Sequence, residues 1–307
     1  MMAGADLDLP ALLAKKDHLN VLRYIRLHEL REPNMVLEHG FALLGKNLTD
    51  RKNMDSGRRM AVLEQICLAA LDVDNHPLAE KCLAQLRIFV APAGKESLRF
   101  RVLLGRCLEG VGDMGGAEKI YDEILKDFPF NTYVLKRKYC MLKQQVGKEI
   151  EAMAALNDYL KQNPADASAW KELSNVCLEM GDYKGAVFAL EEVVLSSPLD
   201  AKCHCQLAEA YATVGGIANL KLARKHLAQS LELNPTDNRR ALFMLVTVTK
   251  SYLEAVGKSK RDYDENDTDV AKELIKYGAE KLLAAYKGTT MFAPVQEFLN
   301  RVASTPK

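Results

Sequence analysis

The residues of this chain best suited to chemistry are Cys203, His204 and Cys205, with His226 further on. Thiolate and imidazole ligands together are the usual donor set for zinc. Their spacing argues against a shared ion. On a helix, side chains two residues apart diverge by about 200°, so both sulfurs reach one metal only if the helix unwinds. Cys203 and Cys205 read instead as small apolar fillers on opposite faces. Acidic side chains are plentiful, but none forms a placed pair for acid–base work. No glycine-rich phosphate loop, nucleophile elbow or His-Glu-x-x-His pair occurs. The chain is therefore expected to be non-catalytic, with no cofactor and no metal. Trp170 is the remaining group that could stack on a ligand; its place in the pattern below makes it a core residue.

The elements that would position any such residue repeat. Four consecutive stretches carry one pattern at a spacing of about 34 residues. The clearest starts at Ala167, with Trp170, Leu173, Ser174 and Cys177 on a first helix, Gly181 at the turn, Ala186, Leu190 and Val193 on a second helix, and Pro198 closing it. The others place Leu104, Gly105, Gly112, Ala117, Tyr121 and Pro129; Tyr139, Gly147, Ala152, Leu156 and Pro164; and Leu207, Ala208, Tyr211, Gly215, Ala223, Leu227 and Pro235. Small residues recur where crossing helices approach most closely. Proline recurs where the second helix must stop. Ser97, Thr132, Asp166, Asp200 and Asp237 precede the first helices as candidate N-caps. This arrangement resembles a tetratricopeptide-repeat (TPR) array, which implies an all-α right-handed superhelical solenoid with extra terminal helices.

The expected organisation follows the register outward. Residues 1–59 hold amphipathic helices (9–30 and 34–46) outside the template, then a polar loop, Asn47 to Gly57. The solenoid occupies 60–256, with repeats near 60–93 (degenerate), 98–131, 133–166, 167–200 and 201–237, and the first helix of a further pair at 238–256. The copy from Ala201 has three extra residues, placed in a solvent-facing loop at Gly215-Gly216-Ile217-Ala218-Asn219-Leu220. A charged loop, 257–267, is expected to be mobile, and helices in 268–307 cap the array.

A solenoid turns scattered side chains into one surface. TPR arrays line their concave face with template positions 2, 5, 6, 9, 12 and 13 of each first helix. Here these include Arg99, Arg106, Arg137, Lys138, Met141, Lys171, Asn175, Lys202 and Gln206, and in the next copy Arg239 and Phe243. The mixture, with basic residues exceeding acidic ones, suits an extended peptide of neutral or mildly acidic character. Arrays that clamp the acidic C-terminus of heat-shock chaperones offer a test. Lys171 and Asn175 match the first clamp pair, but Gln206 stands for Asn, Arg239 for Lys, and Phe243 where a cation is required. That Phe removes much of the charge a carboxylate site needs.

Composition excludes other classes. Lys plus Arg number 42 against 41 Asp plus Glu, so no bulk charge points to nucleic acid or an anionic bilayer. The basic run Lys136-Arg137-Lys138 reads as a solvated helix face, and nucleic acid is not an expected partner. The N-terminal stretch lacks a basic segment followed by an apolar core. No apolar run reaches the roughly 18–20 residues needed to span a bilayer, so neither secretion nor a membrane span is expected. Seven scattered cysteines suit a reducing compartment.

Beyond the generic array, the run from Ala117 to Leu245 resembles the family of second subunits of the endoplasmic reticulum (ER) membrane protein complex. The matching segments include Ala117-Glu118-Lys119-Ile120-Tyr121-Asp122-Glu123-Ile124-Leu125, Leu156-Asn157-Asp158-Tyr159-Leu160 and Ala169-Trp170-Lys171-Glu172-Leu173. The most specific is Gly215 to Lys225, which contains the three-residue departure from the period. The resemblance implies a soluble scaffold, peripheral on the cytoplasmic face of the ER membrane. Such a scaffold organises membrane and soluble subunits of an insertase for tail-anchored and multipass proteins. Its groove would receive the cytosolic tail of a membrane subunit, and another surface would dock a second soluble subunit. A free cytosolic co-chaperone adaptor binding acidic tails is the alternative.

Overall fold

The computed structural model describes residues 8–45, 48, 54–90, 97–236, 238–258 and 264–303, and every regular element among them is an α-helix. The chain divides into two compact units, Met1–Gln144 and Gln145–Lys307.

The first unit contains α1 (Leu9–Ala14), α2 (His18–Leu27), α3 (Pro33–Leu44), α4 (Ser56–Asp72), α5 (His76–Val90), α6 (Leu98–Val111), α7 (Met114–Asp127) and α8 (Thr132–Lys143). The helix expected over 9–30 is broken. Lys16 takes a left-handed φ of 52°, and the Asp17 side chain turns back to accept from Asn20 N at 3.2 Å, capping α2. Asp55 likewise starts α4 four residues before the expected boundary, accepting from Arg58 N at 2.7 Å. Leu48, expected in a polar loop, is fully buried, and its carbonyl accepts from Arg59 Nη2 at 3.1 Å. These N-terminal helices pack on the helices that follow: Val21, Leu22 and Ile25 of α2 share one core with Val62, Ile66 and Cys67 of α4 and Phe100 and Leu103 of α6.

Small residues are where close packing requires them. A Cβ on Gly105 would lie 2.6 Å from the ring of the fully buried Tyr121 on α7. The cap of α8 is Asn131 rather than Thr132, accepting from Val134 N at 3.1 Å. Ser97, Asp166 and Asp200 cap their helices as the register requires, each accepting a backbone N–H. Asp237 lies outside the described residues; beside it, Asn238 Oδ1 accepts from Ala241 N at 3.3 Å.

The second unit contains α9 (Glu149–Gln162), α10 (Ala167–Glu179), α11 (Tyr183–Ser196), α12 (Ala201–Val214), α13 (Ile217–Leu233), α14 (Arg239–Lys258), α15 (Glu265–Tyr286) and α16 (Phe292–Ala303). Trp170 is nearly buried, edge-on to Phe188 at 5.7 Å, with Nε1 donating to the Pro164 carbonyl at 2.8 Å. The extra residues of the Ala201 copy do not form a loop. Gly215 and Gly216 make the turn with positive φ, and α13 runs 17 residues against 14 for α11. Asn219 Nδ2 donates to the Gly215 carbonyl at 2.8 Å and Leu220 is buried, so the insertion lengthens the helix at its start.

The two ends of the charged segment are helical. Residues 257–258 end α14, 264 caps α15 and 265–267 begin it, while 259–263 lie outside the described residues. Asp267 is an anchor: it accepts from Lys221 Nζ at 2.8 Å, from Tyr252 Oη at 2.6 Å and from Arg224. The buried Arg224 guanidinium lies 4.7 Å over the Tyr252 ring. Burial opposes the charged form of Asp267, but these three donors hold its carboxyl well below the usual range. Val295, Leu299 and Val302 of α16 close the end of this core.

Candidate protein-binding surface

In the first unit, Arg99, Arg106 and Arg137 stand on the faces of α6 and α8 that border three adjoining clefts. One, of about 340 Å³, is lined by Met60, Glu64, Arg99, Phe100 and Leu103. The next, of about 250 Å³, shares Glu64, Arg99 and Leu103 and adds Leu68, Val102, Arg106 and Tyr133. The third, of about 450 Å³, shares Leu68 and Arg106 and extends past Gln65 and Arg137 to Ile25, Leu30 and Val36 of the α2–α3 corner.

The three arginines differ in how far their charge is spent. Arg99 is exposed and held by Glu64 through Nη2 at 2.6 Å. Arg137 is partly buried and donates to Glu109, which also takes the Tyr121 hydroxyl. Burial works against the Arg137 charge, and Glu109 more than restores it. Burial, and then the bond to Glu109, pushes the Tyr121 hydroxyl up, against the opposing pull of Arg137. Arg106 is half-buried and has no hydrogen-bond or ion-pair partner among the described residues. Lys138 points to Asp122 at 2.6 Å. Met141, expected on the groove surface, is fully buried in the helix packing.

In the second unit, Lys171, Asn175 and Lys202 are exposed, and Gln206 is half-buried with Oε1 shielded and unpartnered. Arg239 is exposed and lies 5.4 Å over the Tyr286 ring. Phe243 does not face an open groove. It packs against Tyr286 of α15 at 6.0 Å and Phe298 of α16 at 5.6 Å, so the C-terminal helices cover it.

The suspected metal set resolves into ordinary packing. His204 Nε2 lies 3.0 Å from the Pro198 carbonyl, which can only accept, so Nε2 carries the proton and Nδ1 accepts from His226 Nδ1 at 3.1 Å. Cys203 points to Asp200 and Cys205 to Glu209. Burial pushes both thiols up to about 11, away from the thiolate form a metal takes. Among the described residues no group of three His, Cys, Asp or Glu side chains is arranged to hold a metal ion. No described helix is long and apolar enough to cross a membrane.

Sequence reasoning missed Gln65, Leu68 and Arg26. Gln65 and Leu68 are template positions 6 and 9 of the copy near 60–93, so the register that selected Arg106 selects them one copy upstream. Arg26 lies on α2, where a longer connection to α4 breaks the period.

The helix pairs, caps and small-residue contacts define an all-α protein of the tetratricopeptide-repeat class. A solved TPR repeat-containing protein from Cytophaga hutchinsonii superposes with a TM-score of 0.55 at 12% identity, over 94% of this chain and 97% of that one. The model of the EMC2 TPR-like repeat domain matches residues 91–233. ER membrane protein complex subunit 2-A of Xenopus laevis is 38% identical over 218 residues, 70% of this chain and 71% of its own length. The ER membrane protein complex subunit 2 of Dictyostelium discoideum is 31% identical over 222 residues, 71% of this chain and 66% of its own. The chain belongs to the family of ER membrane protein complex subunit 2.

Proposed function

We propose that this chain is a non-catalytic scaffold subunit of an ER membrane protein complex. It is peripheral on the cytoplasmic face and organises the membrane and soluble subunits of an insertase for tail-anchored and multipass proteins. The observation that carries the reading is the first unit's row of clefts, a preformed surface with an unspent cation, in a chain of this family. Preformed clefts suit a subunit whose work is holding others, because binding then orders only the guest. A cytosolic tail of a membrane subunit occupies these clefts, and a second soluble subunit docks elsewhere. The co-chaperone alternative is weaker, since the clamp position at Phe243 is an aromatic packed beneath Tyr286 and Phe298.

Purification of the tagged chain from detergent-solubilised membranes, with mass spectrometry of what accompanies it, tests the reading. Membrane proteins recovered in fixed ratio are expected. Recovery of the chain alone, from soluble cytosol and unaltered by detergent, would sink it. Charge reversal of the first unit's clefts belongs at Arg106. Arg137 is unsuitable, because a carboxylate there would face the nearly buried Glu109 and disturb the fold.

A further inference from the structure

Three cysteines lie in one core of the first unit: Cys67 on α4, Cys82 on α5 and Cys107 on α6. All three are buried. The Cys67 and Cys107 sulfurs touch at 3.6 Å, although 40 residues separate them along the chain. The Cys67 sulfur also lies 3.6 Å from the Ala79 carbonyl of α5. A carbonyl only accepts, so Cys67 donates there and the Cys107 S–H points to the Cys67 sulfur. A disulfide holds its sulfurs about 2.05 Å apart, so the gap to close is about 1.5 Å, a side-chain rotation rather than a helix movement. The two thiols differ. Once Cys107 loses its proton, the Cys67 S–H can turn to it; that bond favours the Cys107 thiolate against burial, with further help from the Arg106 charge. The same bond, and burial, push Cys67 up.

We propose that Cys67 and Cys107 form a reversible disulfide site, closed by hydrogen peroxide. The Cys107 thiolate sulfur attacks one peroxide oxygen and the O–O bond breaks. The departing hydroxide takes up the proton that Cys107 gave and leaves as water, and Cys107 becomes a sulfenic acid. The Cys67 sulfur then displaces the sulfenic hydroxyl, which leaves as a second water with the Cys67 proton. Two thiols have lost two electrons and two protons, and one peroxide has become two waters. Contact favours the second step, because the attacking sulfur is already in place. Burial slows the first, since peroxide reaches Cys107 only through local opening. Burial also keeps a bulky thiol such as glutathione away from the sulfenic acid, so the internal link forms in place of a mixed disulfide. The link joins α4 to α6, the helices that carry Glu64 and Arg99 to the clefts. In a reducing compartment such a bond is transient, made under peroxide and then reversed. The site goes beyond the scaffold reading and does not depend on it.

Peroxide treatment of the full chain, then blocking with N-ethylmaleimide and peptide mapping by mass spectrometry, tests this. A linked Cys67–Cys107 peptide pair, lighter than the two free peptides by two hydrogens, is expected at about 10-fold the level of any other pair. Dithiothreitol should return both thiols. Cys82→Ala should leave the link in place, whereas Cys107→Ala should abolish it and leave Cys67 reduced. In unfolding urea the preference for this pair should vanish. The proposal is overturned if both thiols survive peroxide, if either pairs with Cys82, or if links between chains dominate. It is equally overturned if Cys107 runs on to sulfinic acid unlinked, or if the pair forms only in urea. The mapping uses the unaltered sequence, so it decides the matter even where a variant fails to fold.

Discussion

The two units use the same helix pair to opposite ends. In the first, the first-helix faces of α4, α6 and α8 stay open, with Arg106 unpaired and clefts on either side of it. In the second, the corresponding face of α14 is covered by α15 and α16, and Phe243 fills the place where an open groove would need a polar residue. Both units also hold a partly buried acid that gathers a cation and a tyrosine. Glu109 takes Arg137 and Tyr121; Asp267 takes Arg224, Lys221 and Tyr252. The difference is what the acid achieves. Glu109 ties neighbouring helices beneath an open surface, whereas Asp267 fastens a long C-terminal helix over a surface that would otherwise be exposed.

The largest test of this contrast is Asp267→Ala. It strands Arg224, whose side chain is only 7% exposed, without its acid, and the expected loss is about 3 kcal/mol in urea unfolding. A loss below about 1 kcal/mol would mean that apolar packing alone holds α15 in place. Glu109→Ala should cost less, about 2 kcal/mol, because the Arg137 side chain it abandons is 30% exposed and can recruit water. Equal losses from the two variants would erase the distinction drawn between the acids.

Acid should weaken both units through paired histidines. Burial, then the neighbouring imidazole, lowers His39 beside His18 in the first unit and His226 beside His204 in the second. His226 is also faced by Tyr211 and Glu191. Because the folded values lie below the unfolded one of about 6.5, the unfolded chain takes protons first. Stability is therefore complete above that pH and declines as pH falls through it, by at most about 1.4 kcal/mol per pH unit for each proton. Urea midpoints at pH 7.5 and 5.5 should show the decline, and His226→Gln should flatten it; an unchanged slope would place the acid sensitivity elsewhere. The smallest effect is expected at Arg99→Ala, which removes an exposed pair with Glu64 and should shift stability by less than about 0.5 kcal/mol.

Much of the second unit is legible in the sequence because its signals are local. Asp166, Asp182 and Asp200 each cap the helix that follows within three residues, and the glycine turns and prolines mark the period. The first unit reads less well. Lys16 and Asp17 break an amphipathic stretch that looks continuous, and α2 and α3, which do not follow the 34-residue spacing, give no local sign that they share a core with α4 and α6. The insertion at Gly215 was visible as a departure from the period. Its shape was not, because the same residues serve as a loop or as an extra turn of helix, and the burial of Leu220 decides between them.

For the groove, template positions determined from the sequence which side chains occupy the first-helix faces. They could not determine which of those remain free. Arg99 is spent on an acid 35 residues earlier and Arg137 on one 28 earlier, while Phe243 is covered by residues more than 40 positions later. The sequence thus determined the helices, their caps and the all-α repeat class, because hydrophobic period and capping act within a few residues. Only the tertiary structure decided that Met141 is core, that Asp267 is an anchor and that Arg106 stands unpaired beside Gln65. Pairing and burial are set by which distant residues arrive at the same place, and that information exists only once the chain has packed.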